Sequence, residues 1–67
     1  MFNYEPFWKT LKEKGISQYK LINEYGIRTS TLDKLRHNKN MEVMTLVDLC
    51  KILDCNIEDI IKVDHKI

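Results

Sequence analysis

The sequence predicts an all-α fold, a single compact five-helix domain spanning residues 1–67. Three observations carry this. Apolar residues recur at spacings of three and four. Helix-ending glycines stand at Gly15 and Gly26, and helix-capping side chains at Ser17 and Asn56. Finally, 43% of residues are hydrophobic and 31% charged, with two glycines and one proline. That is too apolar for a disordered tail and too poor in turn residues for a β-sandwich. So short a chain buries only ~60% of its unfolded surface, which makes its stability margin thin, and its length leaves no room for an interdomain cleft or a dinucleotide fold.

Pro6 suits a first helical position, where its missing N–H costs nothing. Tyr4, Phe7, Trp8 and Leu11 then share one face, and Gly15 ends the helix after Lys14. Ser17 is a good N-cap, and Ile16 before it can pack on Leu21 as a hydrophobic staple. The second helix turns Leu21, Ile22 and Tyr25 inward, and Gly26 stops it after roughly nine residues. A third short helix runs from Thr29 to Arg36 with Leu32 and Leu35 inside, followed by a polar loop, His37-Asn38-Lys39-Asn40-Met41. From Val43 to Leu53 nearly every apolar position is filled, the mark of a central helix. Asn56 caps a fifth helix, Asp59 completes its capping box, and Ile57, Ile60 and Ile61 form its core face. The tail, residues 63–67, is too short to be a domain. There is no repeat, low-complexity stretch or linker.

Charge divides unevenly along the chain. Residues 1–41 carry eight basic residues against four acids, and residues 42–67 three against six. A basic half joined to an acidic half suggests a polyanionic partner for the first. Cys50 and Cys55 make no disulfide framework. The N-terminus lacks the regions of a signal peptide, and no apolar run approaches the ~20 residues of a membrane span. The chain therefore reads as soluble and cytoplasmic.

The most informative stretch is residues 17–36, two short helices joined through Gly26 and Ile27. A tight Gly-containing turn sets such helices at a steep angle, so that the second projects from the body. The series Gln18, Leu21, Ile22, Gly26, Ile27, Leu32 and Leu35 resembles the helix-turn-helix of the Cro-type, lambda-repressor-like transcriptional regulators. Asn38-Lys39-Asn40, then Thr45-Leu46, Leu49-Cys50 and Leu53, then Ile57 to Ile61, resemble that family's fourth and fifth helices. The likeness covers about residues 7–63. Ile22 stands where the family usually has a small residue. Arg28 stands where a Ser N-cap is common, so Thr29 takes over as cap or the helix starts one residue late.

The resemblance implies a small sequence-specific DNA-binding regulator, most simply a repressor, whose helix at about 29–36 enters the major groove of double-stranded DNA. Arg28, Thr29, Ser30, Asp33 and Lys34 would face the bases. Arg28 can pair with a guanine in bidentate fashion, and Asp33 either accepts from cytosine or balances Lys34 and Arg36. Gln18, at the motif's first position, would anchor a phosphate beside a helix N-terminus. Tyr19, His37, Asn38, Lys39 and Asn40 would flank it on the DNA backbone. A lone module covers roughly 600–1,000 Å² of DNA, and dimers read half-sites ~34–36 Å apart, so a homodimer is expected. Ile57, Ile61, Val63 and Ile67 are its expected surface.

Each signal has a plainer reading. Lys9, Lys12, Lys14 and Lys20 suit a solvated face, Trp8 suits the core, and Tyr19 suits either core or rim. Cys50, Cys55, His37 and His65 lack the paired spacing of a zinc site, and Cys50 behaves as a small hydrophobe on an inner face. His37 and Asp33 have no nucleophile or pocket beside them, so no enzyme is expected. No cofactor, metal or small-molecule ligand is evident. The rival function is a protein-interaction module on the same scaffold, an anti-repressor or partner of a larger regulator, without DNA reading of its own.

Overall fold

The computed structural model describes residues 1–65. It is mostly helical, with four α-helices rather than five. They are α1 (Glu5–Lys14), α2 (Gln18–Asn23), α3 (Thr29–Arg36) and α4 (Val43–Leu53). The expected fifth helix is a single 3-10 turn, Ile57–Asp59. The chain also has a two-stranded antiparallel sheet, β1 (Phe2–Asn3) with β2 (Lys62–Val63), which an all-α reading leaves out. Phe2 pairs with Val63 and Asn3 with Lys62, and the Asp64 N–H donates to the Met1 carbonyl at 2.7 Å.

Every helix contributes to one core. Tyr4, Phe7, Leu11, Leu21, Leu32, Leu35, Leu49, Leu53 and Ile60 are buried together. Burying a Leu or Phe side chain is worth about 1.5–3 kcal/mol. Trp8 is half-buried against this core, its ring edge-on to Phe7 at 4.9 Å.

Several helix ends form as their local residues require. Gly15 takes a left-handed conformation (φ 66°) after α1. The Ser17 Oγ accepts from the Lys20 N–H at 3.1 Å, which caps α2. Pro6 falls one residue further in than expected, since α1 begins at Glu5. At the turn Ile57–Asp59, the Asp59 Oδ2 accepts from the Asn56 N–H at 3.1 Å. The Ile60 N–H then reaches back only three residues, to the Ile57 carbonyl at 2.9 Å, and β2 begins two residues later. An α-helix has no length in which to grow there.

Two faces differ from their expected burial. α2 ends at Asn23, and the Ile27 N–H bonds the Leu21 carbonyl at 3.0 Å across the turn. Tyr25 therefore lies beyond the helical face and is exposed. On α4 only Leu49 and Leu53 are buried, while Val43 (73% exposed) and Met44 face outward. α4 thus flanks the core and keeps one apolar side open.

Candidate nucleic-acid interface

α3 begins at Thr29, with Arg28 at the N-cap in an extended conformation and no side chain bonded to the helix end. Neither Thr29 as cap nor a late start is needed. An uncapped first turn leaves N–H donors and the positive end of the helix dipole facing outward. Arg28, Thr29, Ser30, Asp33 and Lys34 are all exposed, whereas Leu32 and Leu35 hold the opposite side in the core. The helical period accounts for this, because residues 29, 30, 33 and 34 share a stripe that 32 and 35 do not.

These residues do not form one undivided patch. Arg28, Ser30 and Lys34 border a groove with half-buried Thr31, and Glu42, Thr45 and Asp48 near the start of α4 form its far wall. Thr29 and Asp33 lie on the adjoining flank of α3. The acidic wall has no signal in the sequence, where Glu42 and Asp48 are only part of a general acidic excess. Among the described residues Arg28, Lys34 and Lys39 have no ion-pair partner, and Glu42 and Asp48 face the first two only across the groove.

Asp33 is held by its own helix. The Arg36 Nη1 donates to Asp33 Oδ1 at 2.8 Å, and the Arg36 Nη2 donates to Gln18 Oε1 on α2. Gln18 thereby turns its acceptor towards Arg36, which leaves its amide hydrogens as the donating end. The sequence presents Arg36 only as a charge for Asp33 to balance. Its reach back to α2 depends on how the two helices pack, which no local signal contains.

The loop after α3 is built around Asn38, in a left-handed conformation (φ 52°) that asparagine tolerates. The Lys39 N–H bonds the Lys34 carbonyl at 2.9 Å and closes the helix. Asn38 Oδ1 accepts from the Tyr4 N–H at 3.0 Å, and the Tyr4 hydroxyl donates to the Lys39 carbonyl at 2.6 Å. Tyr4 so fixes the segment carrying His37, Lys39 and Asn40, all exposed. Burial pushes its phenol above the ordinary value of 10.0. From the sequence Tyr4 belongs to an apolar face. The available signal was its hydroxyl, which seeks a partner when buried.

Tyr19 lies on the outer side of α2 and is exposed, which resolves its two readings in favour of the surface. Lys9, Lys12, Lys14 and Lys20 are also exposed. Among the described residues no three His, Cys, Asp or Glu side chains gather where a metal could bind. No described helix is long and apolar enough to cross a membrane.

Comparison with known proteins bears on the domain as a whole. The profile of the Cro/C1-type HTH DNA-binding domain matches residues 7–66. The crystal structure of the transcriptional regulator VanUg superposes with a TM-score of 0.81 at 31% sequence identity. That match covers 91% of this chain and 81% of the other. No curated protein matches the chain significantly.

Proposed function

This chain belongs to the Cro/C1-type helix-turn-helix DNA-binding domain family, and from that premise we propose that it is a sequence-specific transcriptional regulator, acting in the cytoplasm as a repressor. The family is one of DNA-binding domains, not of enzymes. The observation that carries the reading is the outer stripe of α3. Arg28, Thr29, Ser30 and Lys34 stand exposed beside an uncapped helix N-terminus, and among the described residues neither basic side chain is ion-paired. A helix fits the major groove, where each base pair has a distinct donor and acceptor pattern. Arg28 and Lys34 suit guanine, and Thr29 and Ser30 suit either hydrogen bonding or a thymine methyl. Asp33, already neutralised by Arg36, can accept from a cytosine amino group.

Phosphate contacts then position the domain. Gln18 and Tyr19 serve on one side of α3. His37, Asn38, Lys39 and Asn40 serve on the other, with Asn38 contributing its amide nitrogen because its oxygen holds Tyr4. Repression needs no effector domain, since occupancy of a promoter is enough. A module without DNA reading is less favoured than the sequence suggests. Asp33, an acid on the outer stripe of α3 that would repel phosphate if left free, is paired with Arg36.

The protein acts as a homodimer in this reading, because one module covers too little duplex for high specificity. Ile57 and Val63 are about half exposed, and Ile61 is partly buried against the core. Ile67 lies outside the described residues. The open side of α4, with Val43 and Val47, continues this apolar surface past Ile57.

Selection of targets from a randomised duplex library at moderate salt tests the reading. A two-fold symmetric motif is expected, with binding that weakens steeply with salt, at a log–log slope near −0.9 per phosphate contacted. Absence of any enriched sequence, from folded protein, overturns it in favour of the interaction module.

A further inference from the structure

Cys50 and Cys55 take no part in the reading face. They occupy the two positions that one kind of helix ending brings together. α4 finishes in left-handed Asp54 (φ 50°), with the Cys55 N–H donating to the Cys50 carbonyl at 3.0 Å. The Asp54 N–H donates to the Lys51 carbonyl at 3.4 Å. This pair of bonds is the Schellman closure, in which the first and last side chains of the turn meet, commonly as two apolar groups. Here both are thiols.

With the carbonyl's ordinary bond angle, the standard bond lengths and the 3.0 Å hydrogen bond keep the two Cα atoms within about 6.9 Å. A disulfide needs a separation of roughly 4.4–6.8 Å. The side chains are also in mutual reach. The Cys55 thiol is pushed up by burial first, then by Cys50 and Asp59, with a hydrogen bond to the Cys50 side chain among the causes. Both residues are half-buried and line an open groove with Val47 and Ile57, so a small reagent has access to them in the free monomer, before the proposed dimer covers this face.

We propose that Cys50 and Cys55 are a redox-active dithiol that closes to an intramolecular disulfide on oxidation by a peroxide. The Cys50 thiolate attacks one peroxide oxygen and breaks the O–O bond. It becomes a sulfenic acid, and the released hydroxide takes up the proton lost by the thiol to form water. Cys55 then gives up its proton and its sulfur attacks the Cys50 sulfur. The S–O bond breaks, and hydroxide and proton leave as a second water. Two thiols and one hydrogen peroxide yield one disulfide and two waters. A small thiol reverses the step by exchange. Burial, with Cys50 and Asp59 beside it, disfavours the charged form of Cys55, which suits the resolving role and leaves the attacking one to Cys50.

The test treats the full chain with hydrogen peroxide, alkylates the remaining thiols with iodoacetamide and weighs the intact protein. The expected product is a monomer lighter by two hydrogens that takes up no alkylating agent, and dithiothreitol should restore two alkylatable thiols. In Cys55→Ser the reaction should stop at Cys50 and be trapped there by dimedone. Thiols that stay fully alkylatable, separate oxidation of each cysteine to sulfinic acid, or a covalent dimer as main product each overturn the proposal. Absence of a dimedone adduct in Cys55→Ser overturns the order of attack.

Discussion

Arg36, in the last turn of α3, bonds across the motif to Gln18 at the first position of α2, its Nη2 donating to the Gln18 Oε1. The same guanidinium holds Asp33 through Nη1. One side chain therefore links α3 to α2, neutralises the acid on the outer stripe of α3 and orients the amide proposed to meet a phosphate. All three groups are exposed, and pairs of this kind are worth only ~0–1 kcal/mol in stability. Arg36→Met should accordingly lower stability by less than about 1 kcal/mol. It should weaken DNA binding more than that, because it frees Asp33 and releases Gln18 at once. Denaturant melts and fluorescence anisotropy on the same duplex compare the two. Equal small losses in both would remove the positioning role.

Arg28→Ala and Lys34→Ala should each relax preference at single base positions by ~1–3 kcal/mol. Lys39→Ala should weaken all sequences alike and lower the salt slope by about one phosphate contact. Binding to a set of single-base operator variants at two salt concentrations distinguishes these patterns.

Tyr4→Phe removes the hydroxyl that bonds the Lys39 carbonyl while keeping the ring in the core. A loss of about 0.5–1.5 kcal/mol is expected, read as a fall in Tm. The buried phenol has its pKa raised above 10.0, so its contribution is fully present below that pH. It is lost as pH rises through the raised value, because the unfolded chain ionises first. The parent chain should therefore lose stability in alkali from about pH 10 upward, and Tyr4→Phe should lack that component. Thermal melts at neutral and alkaline pH measure both effects.

Thr10 is the buried polar side chain of α1, and its Oγ1 donates to the Asp59 carbonyl at 2.8 Å. It ties α1 to the 3-10 turn. Thr10→Val keeps the shape and leaves that carbonyl without its partner, which should cost ~1–3 kcal/mol. Chemical denaturation is the measurement. A neutral result would mean that water replaces the bond.

Val43→Glu charges an exposed position on the open side of α4 and touches no buried contact. It should leave Tm nearly unchanged and shift the chain towards monomer in analytical ultracentrifugation. Binding to a two-half-site duplex should weaken more than binding to a single half-site. A parent chain that is monomeric both free and on its operator would remove the dimer from the proposal.

The residues of α3 and α4 determine their own boundaries, Thr29–Arg36 and Val43–Leu53, which stand where the pattern of apolar and polar residues sets them. Ser17 as cap, Gly15 as terminator and the buried pair Leu32 and Leu35 were legible for the same reason. Each depends on hydrogen bonds or side-chain spacings spanning a few residues, and those are written along the chain. The outward stripe Arg28, Thr29, Ser30, Asp33 and Lys34 is set by the inward one through the same period.

What the chain alone does not contain is the set of contacts made between distant segments. Phe2 pairs with Val63, Tyr4 holds Asn38 and Lys39, Arg36 meets Gln18, and Glu42 and Asp48 face Arg28 and Lys34 across a groove. The same competition ended α2 early and left Ile57–Asp59 as one tight turn, because strand pairing and the turn into α3 claimed the backbone that further helix would have used. Local periodicity specifies which face of a helix is apolar. Only packing decides how much of that face the core covers, and for α4 it left Val43 and Met44 in solvent.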